Sequence, residues 1–203
     1  MVDRQIVSRG VSNPLVVDAM FSVPRHRFVP PEFIVDAYAD HPLPIGYGQT
    51  ISQPYIVALM SEMLDPQPTD VVLEVGTGSG YQAAVLAVIV DRVYTVEIIP
   101  ELAESASLRL QDLGYDNIVV ANRDGYYGWS EYGPFDKIIV TAAPDHIPPI
   151  LVEQLKEGGR MAIPVGPQGI GQTLWLVEKV GGDIKTTSYG GVRFVPLTGG
   201  HEE

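Results

Sequence analysis

The chain has 203 residues, 45% of them hydrophobic, enough to bury one sizeable core and short for two, so a single domain over 1–203 is expected. Its 13 basic against 25 acidic side chains give a formal net charge of -12, which repels phosphate backbones and anionic membranes, so neither nucleic acid nor a membrane is an expected partner. The absence of cysteine excludes disulfides, thiolate metal sites and a cysteine nucleophile. The opening Met1-Val2-Asp3-Arg4-Gln5 lacks the charged-then-apolar pattern of a secretory signal, and the longest aliphatic run, Ala83 to Val90, is too short to span a bilayer, so a cytoplasmic protein is expected.

Residues 1–69 read as a helical cap with a loop. Ser12-Asn13-Pro14 forms a helix start, with a capping side chain and a proline tolerated in the first turn, leading into Leu15 to Phe21. Pro30-Pro31 opens a short helix through about Tyr38. Asp40 to Pro54, with Pro42, Pro44, Gly46 and Gly48, shows neither helical nor strand periodicity and reads as a loop placed for a purpose. Pro54 then starts a helix to about Leu64 whose apolar stripe, Ile56, Val57, Met60 and Leu64, is core packing.

From residue 70 short β-branched runs alternate with helical stretches. Strands are expected at Val71–Val75, Val93–Glu97, Ile118–Ala121 and Lys137–Thr141, and helices near 80–90, 101–113 and 147–156, a pattern that implies a parallel sheet covered on both faces. Arg160–Val165, Thr173–Val180 and Ile184–Val195 are strand-like with little helix between them, so the sheet is expected to end in an antiparallel edge.

Chemistry concentrates at Val71-Val72-Leu73-Glu74-Val75-Gly76-Thr77-Gly78-Ser79-Gly80-Tyr81, a buried strand, a glycine-rich turn and a helix start. Such a loop brings backbone close to a ligand at a strand's carboxyl end, although a plain tight turn has the same composition. Glycines at 76, 78 and 80 give GxGxG rather than the pyrophosphate-binding GxGxxG. Glu74, just before the turn, would repel a pyrophosphate but can accept from the ammonium of S-adenosylmethionine, which carries no phosphate. Glu97, 21 positions beyond Gly76, stands where a carboxylate can bridge two ribose hydroxyls, or be a solvated strand end. Asp124-Gly125 can accept from an adenine amino group or simply form an Asp-Gly turn.

These residues resemble the protein-L-isoaspartate (D-aspartate) O-methyltransferase family over nearly the whole chain. The resemblance is carried by Leu43 to Tyr55 (LPIGYGQTISQPY), Leu73 to Gln82, Phe135 to Ala143, Leu155 to Arg160 and Val192 to Thr198. Many methyltransferases share the glycine loop; the Gln49 to Pro54 segment is far more specific. The resemblance implies an α/β, Rossmann-like, S-adenosylmethionine-dependent methyltransferase with its reaction centre under the Thr50-Ile51-Ser52 loop. By match to family positions, Ile51, Ser52, Gln53, Pro54, Tyr55, Ser79, Glu97, Ile98, Asp124, Gly125 and Thr198 are expected cofactor contacts, alongside Glu74, Gly76, Thr77, Gly78 and Gly80 of the loop. Ser52 aligns with the serine given the active-site role, and Thr50, Ile51, Ser52 and Val195 are expected against an extended substrate peptide. Arg123 stands where the family usually has glycine, and the chain runs five residues past Thr198, which implies a shorter pocket lid.

The implied reaction moves a methyl group from S-adenosylmethionine to the free carboxylate of isoaspartyl residues in damaged proteins and peptides, leaving S-adenosylhomocysteine. A monomer without a metal is expected. None of His26, His41, His146 and His201 sits in a catalytic or metal-ligating motif, so Ser52 is expected to orient rather than attack. Arg193 has a carboxylate partner or a surface ion pair as alternative uses. Competing readings are a methyltransferase acting on RNA or another acceptor, a nicotinamide dehydrogenase sharing the ribose acid, and a non-catalytic peptide-binding module.

Overall fold

In the computed structural model, which describes residues 1–167 and 171–200, the chain opens on a π-helical turn, Val2–Ile6, and a 3-10 turn, Val7–Arg9. Helix α1 spans Pro14–Ser22. Asn13 caps it, its side-chain oxygen accepting from the amides of Leu15 and Val16 at 3.0 and 3.4 Å. The helix opened at Pro30-Pro31 is of the 3-10 type, Pro31–Asp36, and stops short of Tyr38.

The expected loop from Asp40 to Pro54 contains a hairpin instead. Leu43–Gly46 (β1) and Gln49–Ile51 (β2) pair antiparallel across Tyr47 and Gly48, both at positive φ. Strands of four and three residues interrupted by proline and glycine offer too few positions for alternation to show, which is why the sequence reads as irregular. Helix α2, Pro54–Leu64, follows at the expected span and buries Val57, Met60, Met63 and Leu64.

Seven strands form the central sheet: Val71–Val75 (β3), Arg92–Glu97 (β4), Ile118–Asn122 (β5), Phe135–Val140 (β6), Leu155–Val165 (β7), Gln172–Val180 (β8) and Asp183–Val192 (β9). Their order is β5-β4-β3-β6-β7-β8-β9, parallel through β7 and antiparallel for the last two pairings. Helices α3 (Tyr81–Ala87), α4 (Pro100–Asp112) and α5 (Pro149–Glu153) make crossovers. Helix α5 is shorter than the expected 147–156 because the chain enters β7 at Leu155, ahead of the expected Arg160. A register shift against β6, with Gly158 at φ 76, absorbs the irregular start of β7.

Both faces of the sheet are covered. Val72 packs with residues of α1, α2 and α3, while Leu73 and Val75 pack with Trp129, Phe135 and Ile138 on the opposite side. Among the described residues no helix is long and apolar enough to cross a membrane. Strand order reverses between β3 and β6, and in doubly wound sheets ligands bind at the carboxyl ends of such a pair.

Candidate active site

A cleft opens at that switch point, where doubly wound sheets bind their ligands. Its floor is the turn after β3. The amides of Gly76 and Thr77 donate to Val96 O at 2.9 and 3.2 Å, anchoring the turn to β4. Thr141, just past β6, donates its hydroxyl toward Gly76 O at 2.6 Å and Val75 O at 3.0 Å. Gly76 has φ 98, and a Cβ there would collide with the Thr141 hydroxyl, so the turn needs glycine on both counts. Gly80 differs. It does not line the cleft, and a Cβ on it would come within 3.2 Å of Leu110, so this glycine lets α3 approach α4 rather than a ligand.

The three acids expected at the cofactor have different surroundings. Glu97, 6% exposed, lines the cleft and ties its rim together: one carboxylate oxygen accepts from Gly78 N at 2.8 Å and the other from Ile99 N at 3.1 Å. Each oxygen keeps a lone pair for a ligand. Glu74 is fully buried and absent from the lining. It points to the same face of β3 as Val72, under the start of α3, where one oxygen accepts from Thr95 at 2.5 Å and the other has no partner. Burial pushes this carboxyl up to about 8, against the lowering effect of the Thr95 bond. Glu74 thus lies behind the loop and is linked to the cleft through Thr95 and Thr77, whose hydroxyls lie 2.7 Å apart. Asp124 also stands off the cleft. Its oxygens accept from Tyr126 N and Gly200 N, both at 2.9 Å, so it fastens the C-terminal segment. Gly125 does line the cleft, and a Cβ there would lie 2.5 Å from Val75 Cγ1. Arg123 lays its guanidinium over Trp129, 5.1 Å from the ring centroid.

The opposite wall comes from the hairpin. Gln49, Thr50, Ile51 and Ser52 line it, and the Ser52 hydroxyl has no hydrogen-bond partner among the described residues. Gln53, Pro54 and Tyr55 turn away. Gln53 donates to Asp40 O at 3.0 Å, Pro54 is buried as the first residue of α2, and the Tyr55 ring carries the Arg9 guanidinium at 3.5 Å. The three expected cofactor contacts thus shape the hairpin from behind, because the helix that begins at Pro54 rotates successive side chains off the cleft. The roof is Val195 to Thr198, joined to the end of β6 by Ala143 N to Val195 O at 2.8 Å and Leu197 N to Ala143 O at 2.9 Å. Beyond it, residues 201–203, which include His201 and the end of the expected lid, lie outside the described residues. Arg193 is exposed and makes no ion pair among the described residues.

The structure therefore brings Thr50, Ile51, Ser52, Gly76, Thr77, Gly78, Ser79, Glu97, Ile98, Gly125, Val195 and Thr198 to one cleft, and leaves out Gln53, Pro54, Tyr55, Glu74, Gly80 and Asp124. Sequence reading missed Thr141, Tyr81 and Gln82 among the lining residues. Thr141 carried a usable signal, since it ends the strand that neighbours the glycine-loop strand. Among the described residues no group of His, Asp and Glu is arranged to hold a metal.

A switch-point cleft, a GxGxG turn and an antiparallel edge fit the class of Rossmann-like S-adenosylmethionine-dependent methyltransferases. Comparison with known proteins narrows the class. The family model for protein-L-isoaspartate(D-aspartate) O-methyltransferase matches residues 1–202. A protein-L-isoaspartate O-methyltransferase from Picosynechococcus is 55% identical over 199 residues, 98% of this chain and 89% of the relative. A solved protein-L-isoaspartate O-methyltransferase superposes with a TM-score of 0.89 at 30% identity, covering 98% of this chain and 66% of that chain's length. A Plasmodium falciparum structure described as that enzyme, in complex with S-adenosyl-L-homocysteine, gives 0.84 at 26% identity, covering 97% and 96%. The chain belongs to the protein-L-isoaspartate(D-aspartate) O-methyltransferase family.

Proposed function

We propose that the chain repairs damaged proteins by transferring the methyl group of S-adenosylmethionine to the free α-carboxylate of L-isoaspartyl residues, releasing S-adenosylhomocysteine. One observation carries the reading. The family-specific Gln49 to Ser52 segment forms the wall that faces the glycine turn and Glu97 across a single cleft. The cleft suits the cofactor on its own terms: it sets a glycine-rich turn beside a carboxylate with lone pairs to spare.

Once bound, S-adenosylmethionine supplies an electrophilic methyl carbon on a positively charged sulfur. Glu97 would take the ribose hydroxyls, and the Gly76 to Ser79 turn would bear on the amino-acid tail. A free α-carboxyl titrates near ~3.5, so the acceptor is an anion at neutral pH and needs no general base. The methyl group would pass to a carboxylate oxygen with the electron pair of its old bond left on sulfur, so no residue has to move a proton. Positioning is what the protein must contribute. The unpartnered Ser52 hydroxyl can donate to one carboxylate oxygen while the other attacks, with Thr50, Ile51 and Val195 holding the peptide backbone. The resulting ester can close to a succinimide that reopens toward aspartate.

Paired peptides differing only in aspartyl or isoaspartyl linkage test the reading: transfer to the isoaspartyl member alone is expected, and equal or absent transfer would overturn it. The proposal extends to a monomer acting in the cytoplasm, in keeping with an acidic balance that keeps copies apart. Light scattering and cell fractionation check these two points.

A further inference from the structure

Gln82, in the first turn of α3, lines the cleft but has no part in the scheme above. Its amide nitrogen donates to Ser61 Oγ on α2 at 2.9 Å, and the Ser61 hydroxyl in turn lies 2.8 Å from Val57 O, one helical turn earlier. Ser61 is fully buried, so water cannot take its proton. A hydroxyl carries one hydrogen. With that hydrogen given to Val57 O, Ser61 can only accept from Gln82, and both bonds survive only if the Gln82 amide presents its NH₂ end to Ser61. A flipped amide would set an oxygen against Ser61 and force the hydroxyl to abandon Val57. The chain of donors thus fixes an orientation that a glutamine side chain otherwise leaves open.

The other end of the amide is the carbonyl oxygen. It has no hydrogen-bond partner among the described residues, yet it is not sealed in the interior as the second oxygen of Glu74 is. Gln82 is 8% exposed and lines the cleft together with Ser52, Val57 and Tyr81. A carbonyl oxygen only accepts. The geometry points to Gln82 as a binding residue whose oriented oxygen accepts a hydrogen bond from an N–H donor of the bound ligands, either the ammonium of the cofactor or a backbone amide of the peptide. This rests on the methyltransferase reading.

The test uses the full chain as Gln82→Leu, which keeps a side chain of similar bulk and removes the acceptor, and as Ser61→Ala, which keeps the amide and frees it to flip. S-adenosylhomocysteine affinity is measured by calorimetry, and KM and kcat with an isoaspartyl peptide. For Gln82→Leu one binding constant is expected to weaken on the order of 5- to 20-fold with kcat nearly unchanged, and Ser61→Ala should weaken the same constant less. If the donor is the ammonium, S-adenosylhomocysteine binding falls while that of 5′-methylthioadenosine, which lacks the amino-acid tail, does not. If it is a peptide amide, only KM rises. A lowered melting temperature with both constants unchanged would make Gln82 a packing residue and overturn the inference. Wild-type protein that neither binds S-adenosylhomocysteine nor methylates the peptide would overturn the underlying reading instead, so the two failures are distinguishable.

Discussion

The two walls of the cleft are built in opposite ways. On the side of β3 and β4 the polar groups are closed against one another: the turn amides on Val96 O, Gly78 and Ile99 on Glu97, Thr141 on the carbonyls before and at Gly76. The hairpin side pairs over only a few residues, exposes Tyr47 at its tip by 59%, and presents Ser52 with an unengaged hydroxyl. A ligand of constant structure suits a wall whose donors and acceptors are already fixed. A substrate that arrives as varied stretches of chain suits one that leaves hydrogen-bonding capacity open.

The largest expected effect attacks the closed wall. Gly76→Ala forces a left-handed φ on alanine and drives its methyl into Thr141, so stability should fall by about 1–3 kcal/mol and S-adenosylhomocysteine binding should drop below detection. Thermal melts with calorimetry check both, and wild-type affinity would show that the turn tolerates a side chain. Glu97→Ala leaves two amides without acceptors and removes the expected ribose contact. We expect cofactor affinity to weaken by about 1.5–3 kcal/mol, and an unchanged value would reduce Glu97 to a rim brace.

On the open wall, Ser52→Ala should lower single-turnover methyl transfer roughly 10- to 100-fold and leave S-adenosylhomocysteine binding intact. A parallel fall in both would move Ser52 to the cofactor side of the comparison. A subtler contrast lies beneath the closed wall, in Glu74. Its folded value of about 8 stands above the 4.5 of a free glutamate, so the folded state binds the proton more tightly. The stability this gives is fully present below about pH 4.5 and is lost as pH rises toward 8. Glu74→Gln should therefore flatten the dependence of the urea midpoint on pH across that window, whereas identical slopes would mean the carboxyl is ionised throughout. The smallest effect belongs to the hairpin tip. Tyr47, at φ 53, is a bulky residue in left-handed backbone, and Tyr47→Gly should leave stability unchanged or raise it by up to about 1 kcal/mol. A larger loss would mean that its ring braces the hairpin.

Much of the frame was legible because its signals are local. Helix α2 begins at a proline and ends where its stripe ends, and β3 is apolar but for Glu74 and is stopped by glycine. The hairpin was not, since its pairing is specified by contacts across a turn rather than by any pattern within seven strand residues. For the site, the divide lies between position and direction. Glu74 and Glu97 both follow an apolar residue near the carboxyl end of a strand, yet one points under α3 and the other into the cleft, and only the packing around each decides it. In the same way Tyr55 and Ser52 share a motif, but the first is drawn to Arg9. The Gln82 orientation lay further from reach, because it depends on a chain of hydrogen bonds to Ser61, 21 positions earlier on another helix, and on to Val57.

Glu97 gives the cleft lining its negative charge, Glu74 lies sealed just behind, and among the described residues the lining includes no lysine, arginine or histidine. Such a cavity is an electrostatic well for cations and gives little extra hold on neutral molecules. A sulfonium feels an attraction that the corresponding thioether does not. The pull of the Glu97 carboxylate that favours loading thus slackens once the methyl has gone.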